Sequence, residues 1–162
     1  MRIISGIHKG RRIQAPKNLP VRPTTDMSKE ALFNILRHRT HIPGSRVLEL
    51  FAGSGNMSYE FGSRGAASIL AVDQHKACLD FIKKTASSLE LPIDTNKADV
   101  FSFLEKHKGN YDLIFADPPY GLDEAQFHTI ATMVQEQELL APGGIFIMEH
   151  SKHTDLSSHS WL

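Results

Sequence analysis

Between Arg46 and Glu149 five short apolar runs alternate with stretches of helical periodicity, and few architectures accept that order. The runs are Val47–Phe51, Ile69–Asp73, a weaker one at Ile93–Asn96, Tyr111–Asp117 and Ile145–Glu149. Helical patterns fill the gaps at Met57–Arg64, His75–Leu89, Phe101–Lys106 and 123–138, and Leu139–Gly144 reads as a helix stop and turn. Leu113, Ile114, Phe115 and Ala116 are apolar without alternation, the mark of a strand covered on both faces. Such units lay strands parallel with right-handed crossovers. The expected fold class is therefore α/β, a doubly wound, mostly parallel sheet forming a single domain over residues 1–162. Ligands of such sheets sit beyond the carboxyl ends of the strands.

Those ends carry the chemistry. The first run is followed at once by Gly53-Ser54-Gly55, where the backbone can pass close to a ligand and a helix start can point N–H groups at a carboxylate or phosphate. Asp73 closes the second run, 18 residues after Gly55, where an acid can accept from a ribose diol. Asp99 follows the third run and Asp117 ends the fourth. Glu49 within a buried run is costly unless paired, and a ligand ammonium would supply the partner. Asp117-Pro118-Pro119-Tyr120 is the most pointed feature: two prolines cannot continue a central strand, so an acid, fixed carbonyls and a ring are presented together. That set suits a flat heterocycle bearing an amino group. A nicotinamide fingerprint would show a third glycine near Ser58, which is absent.

Charge is unevenly placed. Residues 1–25 hold Arg2, Lys9, Arg11, Arg12, Lys17 and Arg22 and no acid, so this arm carries +6 and residues 26–162 carry −6. A basic arm on an acidic body is expected to meet a polyanion, with Arg2, Lys9, Arg11, Arg12 and Lys17 as the set placed to bind nucleic acid. Ile3-Ile4 and Ile13 flank a Gly6–Gly10 turn, which reads as a small hairpin and not a free tail. Pro20–Asp26 then runs extended, with Thr24 and Thr25 as helix caps. A helix over 26–38 is expected to bury Met27, Ala31, Leu32, Ile35 and Leu36. The single cysteine, Cys78, excludes a disulfide framework and suits a reducing cytoplasm, and the amino terminus has no apolar signal segment. The nine histidines are scattered, so no metal is expected.

Glu49-Leu-Phe-Ala-Gly-Ser-Gly55 with Asp117-Pro-Pro-Tyr120 resembles the S-adenosylmethionine-dependent amino methyltransferases of nucleic acids, whose core is Rossmann-like. More narrowly, Arg2-Ile-Ile-Ser-Gly6, Lys9-Gly-Arg-Arg-Ile13, Arg22-Pro-Thr-Thr-Asp26, Lys29–Leu36 and Glu149-His150-Ser151 resemble the bacterial 16S ribosomal RNA guanine-N2 methyltransferases that act on guanine 966. The resemblance implies a cytoplasmic, monomeric enzyme with S-adenosyl-L-methionine as cofactor and 16S ribosomal RNA, free or in a small-subunit particle, as partner. It implies that Phe51, Ala52, Gly53, Ser54 and Gly55 line the methionine part. Asp73 would then hold the ribose, Gln74 flank the adenine, and Asp99 with Val100 lie by its amino group. Arg22 and Thr24 would close that site, and Asp117, Pro118, Pro119 and Tyr120 would hold the base. It also implies a C-terminal antiparallel hairpin, shortened or absent here, because Ser151–Leu162 is polar.

Two other readings fit the residues. The tetrapeptide suits any exocyclic amine, so an adenine-N6 methyltransferase on DNA or RNA stays open. A non-catalytic RNA-binding or ribosome-assembly module could also keep this fold.

Overall fold

In the computed structural model, which describes residues 1–21 and 25–149, the alternation builds one five-stranded sheet. The elements are α1 (Asp26–Arg39), β1 (Arg46–Leu50), α2 (Asn56–Ser63), β2 (Ser68–Asp73), α3 (Lys76–Leu89), β3 (Ile93–Lys97), α4 (Val100–Lys106), β4 (Tyr111–Ala116), α5 (Glu124–Glu136) and β5 (Leu140–Met148). Their order across the sheet is β3-β2-β1-β4-β5, and every pairing is parallel. The order reverses between β1 and β4, so a crevice opens there at the carboxyl ends.

Strand parity divides the core. Leu48 and Leu50 of β1 join Val72, Ile114 and Ala116 against α4 and α5. Val47 faces the other way, with Ile69, Leu113 and Phe115, onto Phe33 and Leu36 of α1 and Met57 and Phe61 of α2. Fully burying each of these large side chains contributes roughly 1.5–3 kcal/mol. Tyr59, Ala71 and the α3 residues Leu79, Ile82 and Leu89 make a third cluster, which Ile3 and Ile13 of the arm complete. The arm is thus part of the core. Arg2 and Arg12 form an antiparallel bridge, and Ile3 N–H donates to Arg11 O at 2.9 Å. Among the described residues no helix is long and apolar enough to cross a membrane.

Two expectations are corrected. On α1 the hidden residues are Lys29, Phe33 and Leu36, whereas Met27 is 81% exposed, Ile35 56%, and Ala31 is exposed with them. The helix is rolled so that a lysine faces inward, because Glu60 of α2 is buried beneath it and receives its ammonium at 3.3 Å. The last strand begins at Leu140, not Ile145. Tyr111 pairs with Leu140 and Leu113 with Ile145, so Ala141–Gly144 bulges out between two paired positions, and the left-handed Gly143 (φ 78°) makes the bend. His150, Ser151 and the rest of 151–162 lie outside the described residues, as do Arg22 and Thr24.

Candidate active site

The turn after β1 is built from three left-handed residues in five: Phe51 (φ 58°), Gly53 (φ 58°) and Gly55 (φ 86°). Phe51 bears a steric cost there that glycine does not. Ala52 N–H donates to Val72 O at 3.0 Å, and Gly53 N–H to Asp73 Oδ2 at 2.9 Å, which ties the turn to the end of β2. Gly55 caps α2 without any side-chain bond. A Cβ on Gly55 would come within 2.8 Å of Ile82 and Tyr59, so the glycine is needed for packing behind the turn.

A cavity of about 490 Å³ lies over these strand ends, within the range that holds small ligands. Its walls bring together Glu49, Phe51, Ala52, Gly53, Ser54, Asp73, Gln74, Asp99, Val100, Asp117, Pro118 and Pro119, residues from four separate turns. Sequence reasoning missed Met1, Ala15, Pro20 and Val21 from the arm, Asn56, His75 and Phe101, and Leu122 and Gln126 after the tetrapeptide. Phe101 carried a signal, being an apolar residue soon after a strand-end acid; the arm residues carried none.

The acids differ in state. Glu49 is 2% exposed, and among the described residues only Ser58 bonds it, its hydroxyl donating at 2.5 Å. Burial pushes its carboxyl up to about 8; the bonds to Ser58 act against this and nearby Asp73 adds to it. Asp73 is 8% exposed and already accepts from the backbone N–H of Gly53 and of His75, with His75 Nδ1 3.0 Å away. Asp99 is the cap of α4, accepting from Ser102 N–H at 3.1 Å. Asp73, His75 and Cys78 also place one ligand atom each within 4.8 Å of one another. Burial raises the Cys78 thiol to about 11, so it is held as a thiol.

Two sequence-predicted residues sit elsewhere. Gly55 lies behind the turn and does not line the cavity. Tyr120 is 83% exposed and is also outside the lining, because the chain turns after Pro119 (Leu122 N–H to Pro119 O, 3.2 Å) and Leu122 takes the inward position. Arg2, Lys9, Arg11, Arg12 and Lys17 are all exposed, outside the cavity.

The arm is fastened by a buried charge network. Ile4 and Ser5 N–H donate to the two carboxylate oxygens of Glu60 at 2.9 and 3.1 Å, and Arg64 Nε donates at 2.7 Å. Lys29 Nζ donates to Arg2 O at 2.6 Å and to Asn56 Oδ1 at 2.8 Å. Asn56 lines the cavity, so the network reaches its wall.

Comparison with known proteins gives a consistent picture. A family model described as conserved hypothetical protein 95 matches residues 1–161. The chain is 34% identical to a Bacillus subtilis protein named "Putative rRNA methyltransferase YlbH", the match spanning 96% of this chain and 85% of that protein. It is 32% identical to ribosomal RNA small subunit methyltransferase D of Buchnera aphidicola subsp. Baizongia pistaciae, over 100% of this chain and 83% of that one. Among solved structures, a hypothetical protein of Thermus thermophilus matches with a TM-score of 0.82 and 26% identity, covering 96% of this chain and 89% of that chain.

Proposed function

The chain belongs to the family described as conserved hypothetical protein 95, and from that membership we propose that it is a methyltransferase acting on the exocyclic N2 amine of a guanine in 16S ribosomal RNA. The observation that carries the reading is that Asp117, Pro118 and Pro119 share one cavity with Glu49, Gly53 and Asp73. The names of the small-subunit ribosomal RNA methyltransferase relatives support the substrate class.

The cavity fits S-adenosyl-L-methionine. A buried acid bonded, among the described residues, only by Ser58 suits its ammonium, a turn that admits close backbone approach suits its carboxylate, and Asp73 suits its ribose. The cofactor supplies an electrophilic methyl group on a sulfonium.

The chain supplies position and polarity. The lone pair of a guanine N2 is delocalised into the ring and is weakly nucleophilic. Asp117 and the carbonyl of Pro118 accept its two hydrogens and favour a pyramidal, more nucleophilic nitrogen. The prolines hold those acceptors still, so little reorganisation is needed as charge develops. Once methylated, the amine would be acidic and would lose a proton to Asp117 or to water. The base must leave its stack to enter, and Tyr120, outside the cavity, would meet it as it does.

The test is to incubate small-subunit RNA, naked and as a particle, with isotopically labelled S-adenosylmethionine and identify the modified nucleoside. N2-methylguanosine is expected; N6-methyladenosine would refute the guanine assignment. Asp117→Ala should lower kcat by at least about 100-fold with cofactor affinity kept, as read by single-turnover rates and calorimetry. Equal loss of both would place Asp117 on the cofactor.

A further inference from the structure

Gln126, the third residue of α5, has one end of its amide already committed. Asp123 Oδ1 accepts from Gln126 N–H at 2.8 Å, and Asp123 N–H donates to Gln126 Oε1 at 3.1 Å, a complete capping box. A backbone N–H can only donate, so the amide atom facing it must be the oxygen and the orientation of the amide is settled. The NH2 end is thereby turned away from the cap, and it has no hydrogen-bond partner among the described residues. Gln126 lines the cavity with Asp117, Pro118, Pro119 and Leu122. Gln126 is exposed, so those donors are open to a ligand at the cavity wall that Asp117 and Pro118 also line.

The polarity of a base edge decides what such an arrangement accepts. Along its pairing edge guanine runs from an amino donor at position 2, through a ring N–H, to a carbonyl acceptor at position 6. Adenine carries an amino donor at position 6. We propose that Gln126 selects the base, its amide NH2 donating to the 6-carbonyl of guanine while Asp117 and Pro118 hold the 2-amino group. Adenine seated with its 6-amino group in that clamp would turn its C2–H toward Gln126 and leave the amide donors without an acceptor. This rests on the methyltransferase reading above and supplies the discrimination that the tetrapeptide lacks.

Gln126→Glu provides a clean test, because glutamate keeps the cap acceptor and replaces the donors with a carboxylate oxygen; Gln126→Ala removes both. Melting temperature and S-adenosylmethionine affinity are measured first, then kcat/KM on RNA carrying guanine or 2-aminopurine at the methylated position. 2-Aminopurine keeps the 2-amino group and lacks the 6-oxygen. The native chain should favour guanine by about 10-fold or more. Gln126→Glu should keep the native melting temperature and cofactor affinity, and both variants should lose the preference for guanine. A native-sized preference in either variant, or an equal loss on both bases, would overturn the proposal by placing Gln126 on the cap or the phosphate backbone alone. N6-methyladenosine from the native chain would overturn the guanine reading and this one together. N2-methylguanosine formed with no dependence on Gln126 would overturn this one only.

Discussion

At the scale of single residues, Glu49 shows how a ligand site stores an unfavourable group. Its carboxyl titrates near 8 in the fold, against an ordinary value of 4.5. A raised pKa means that the folded chain favours the protonated acid. The associated stability is whole below about pH 4.5 and is lost as pH rises through about 8. Glu49→Gln, which cannot ionise, should therefore flatten the ligand-free stability profile across that window. The difference between the two chains is expected to approach roughly 5 kcal/mol at most, measured by urea unfolding at each end of the window. If the native and variant profiles run parallel, burial does not control this acid. Bound ammonium would supply the charge that Ser58 alone does not, so cofactor should stabilise the native chain more steeply at high pH than the variant. The sequence made Glu49 visible because an acid interrupts an apolar run. It could not show Gln126, whose role depends on which end of an amide faces a cap.

At the scale of elements, the strands and helices were legible to within a few residues, because period and punctuation are local properties. The face of α1 was not. Counting apolar residues favours Met27, Ala31 and Ile35, but the helix turns Lys29 inward to reach a carboxylate 31 residues away on α2. A buried pair of that kind has no local signature. Its energetics are asymmetric: forming it costs desolvation, and removing one partner strands the other. Burial already lowers the Lys29 ammonium from its ordinary value, while Glu60 works against that shift. Lys29→Ala should cost about 3 kcal/mol, less than a fully stranded acid because Arg64 still holds Glu60 at 2.7 Å. Hydrogen exchange should show the Ile4 and Ser5 amides, both bonded to Glu60, losing protection before those of β1 and β4. Uniform loss across the sheet would mean that the network holds the whole core and not the arm in particular.

At the scale of the molecule, the arm joins two distant places. Met1 and Ala15, near the ends of its hairpin, line the cavity, whereas its turn is held at the far ends of α2 and α3 by Ile7 N–H to Ser63 O at 2.9 Å and His8 Nε2 to Leu89 O at 2.8 Å. Those helix ends lead into the amino ends of β2 and β3, away from the carboxyl ends where the cavity lies, and an eight-residue α2 alone spans about 12 Å. The exposed Lys9, Arg11 and Arg12 are thus carried on a hairpin that Ile3, Ile13 and Glu60 hold against the body. Composition revealed the charge, while only the fold shows that its bearers are exposed on a docked hairpin whose ends line the cavity. A polyanion meeting those residues would release a counterion for each phosphate neutralised. Replacing Arg11 and Arg12 together by glutamate should weaken RNA binding and reduce the slope of log affinity against log salt by about 2. The rate of the bound complex should stay near native, since neither residue lines the cavity. Filter binding across a salt series, paired with single-turnover rates at saturating enzyme, separates the two effects. An unchanged slope would remove the arm from the RNA interface, and a fall in the saturated rate would mean that it positions the base as well as the backbone.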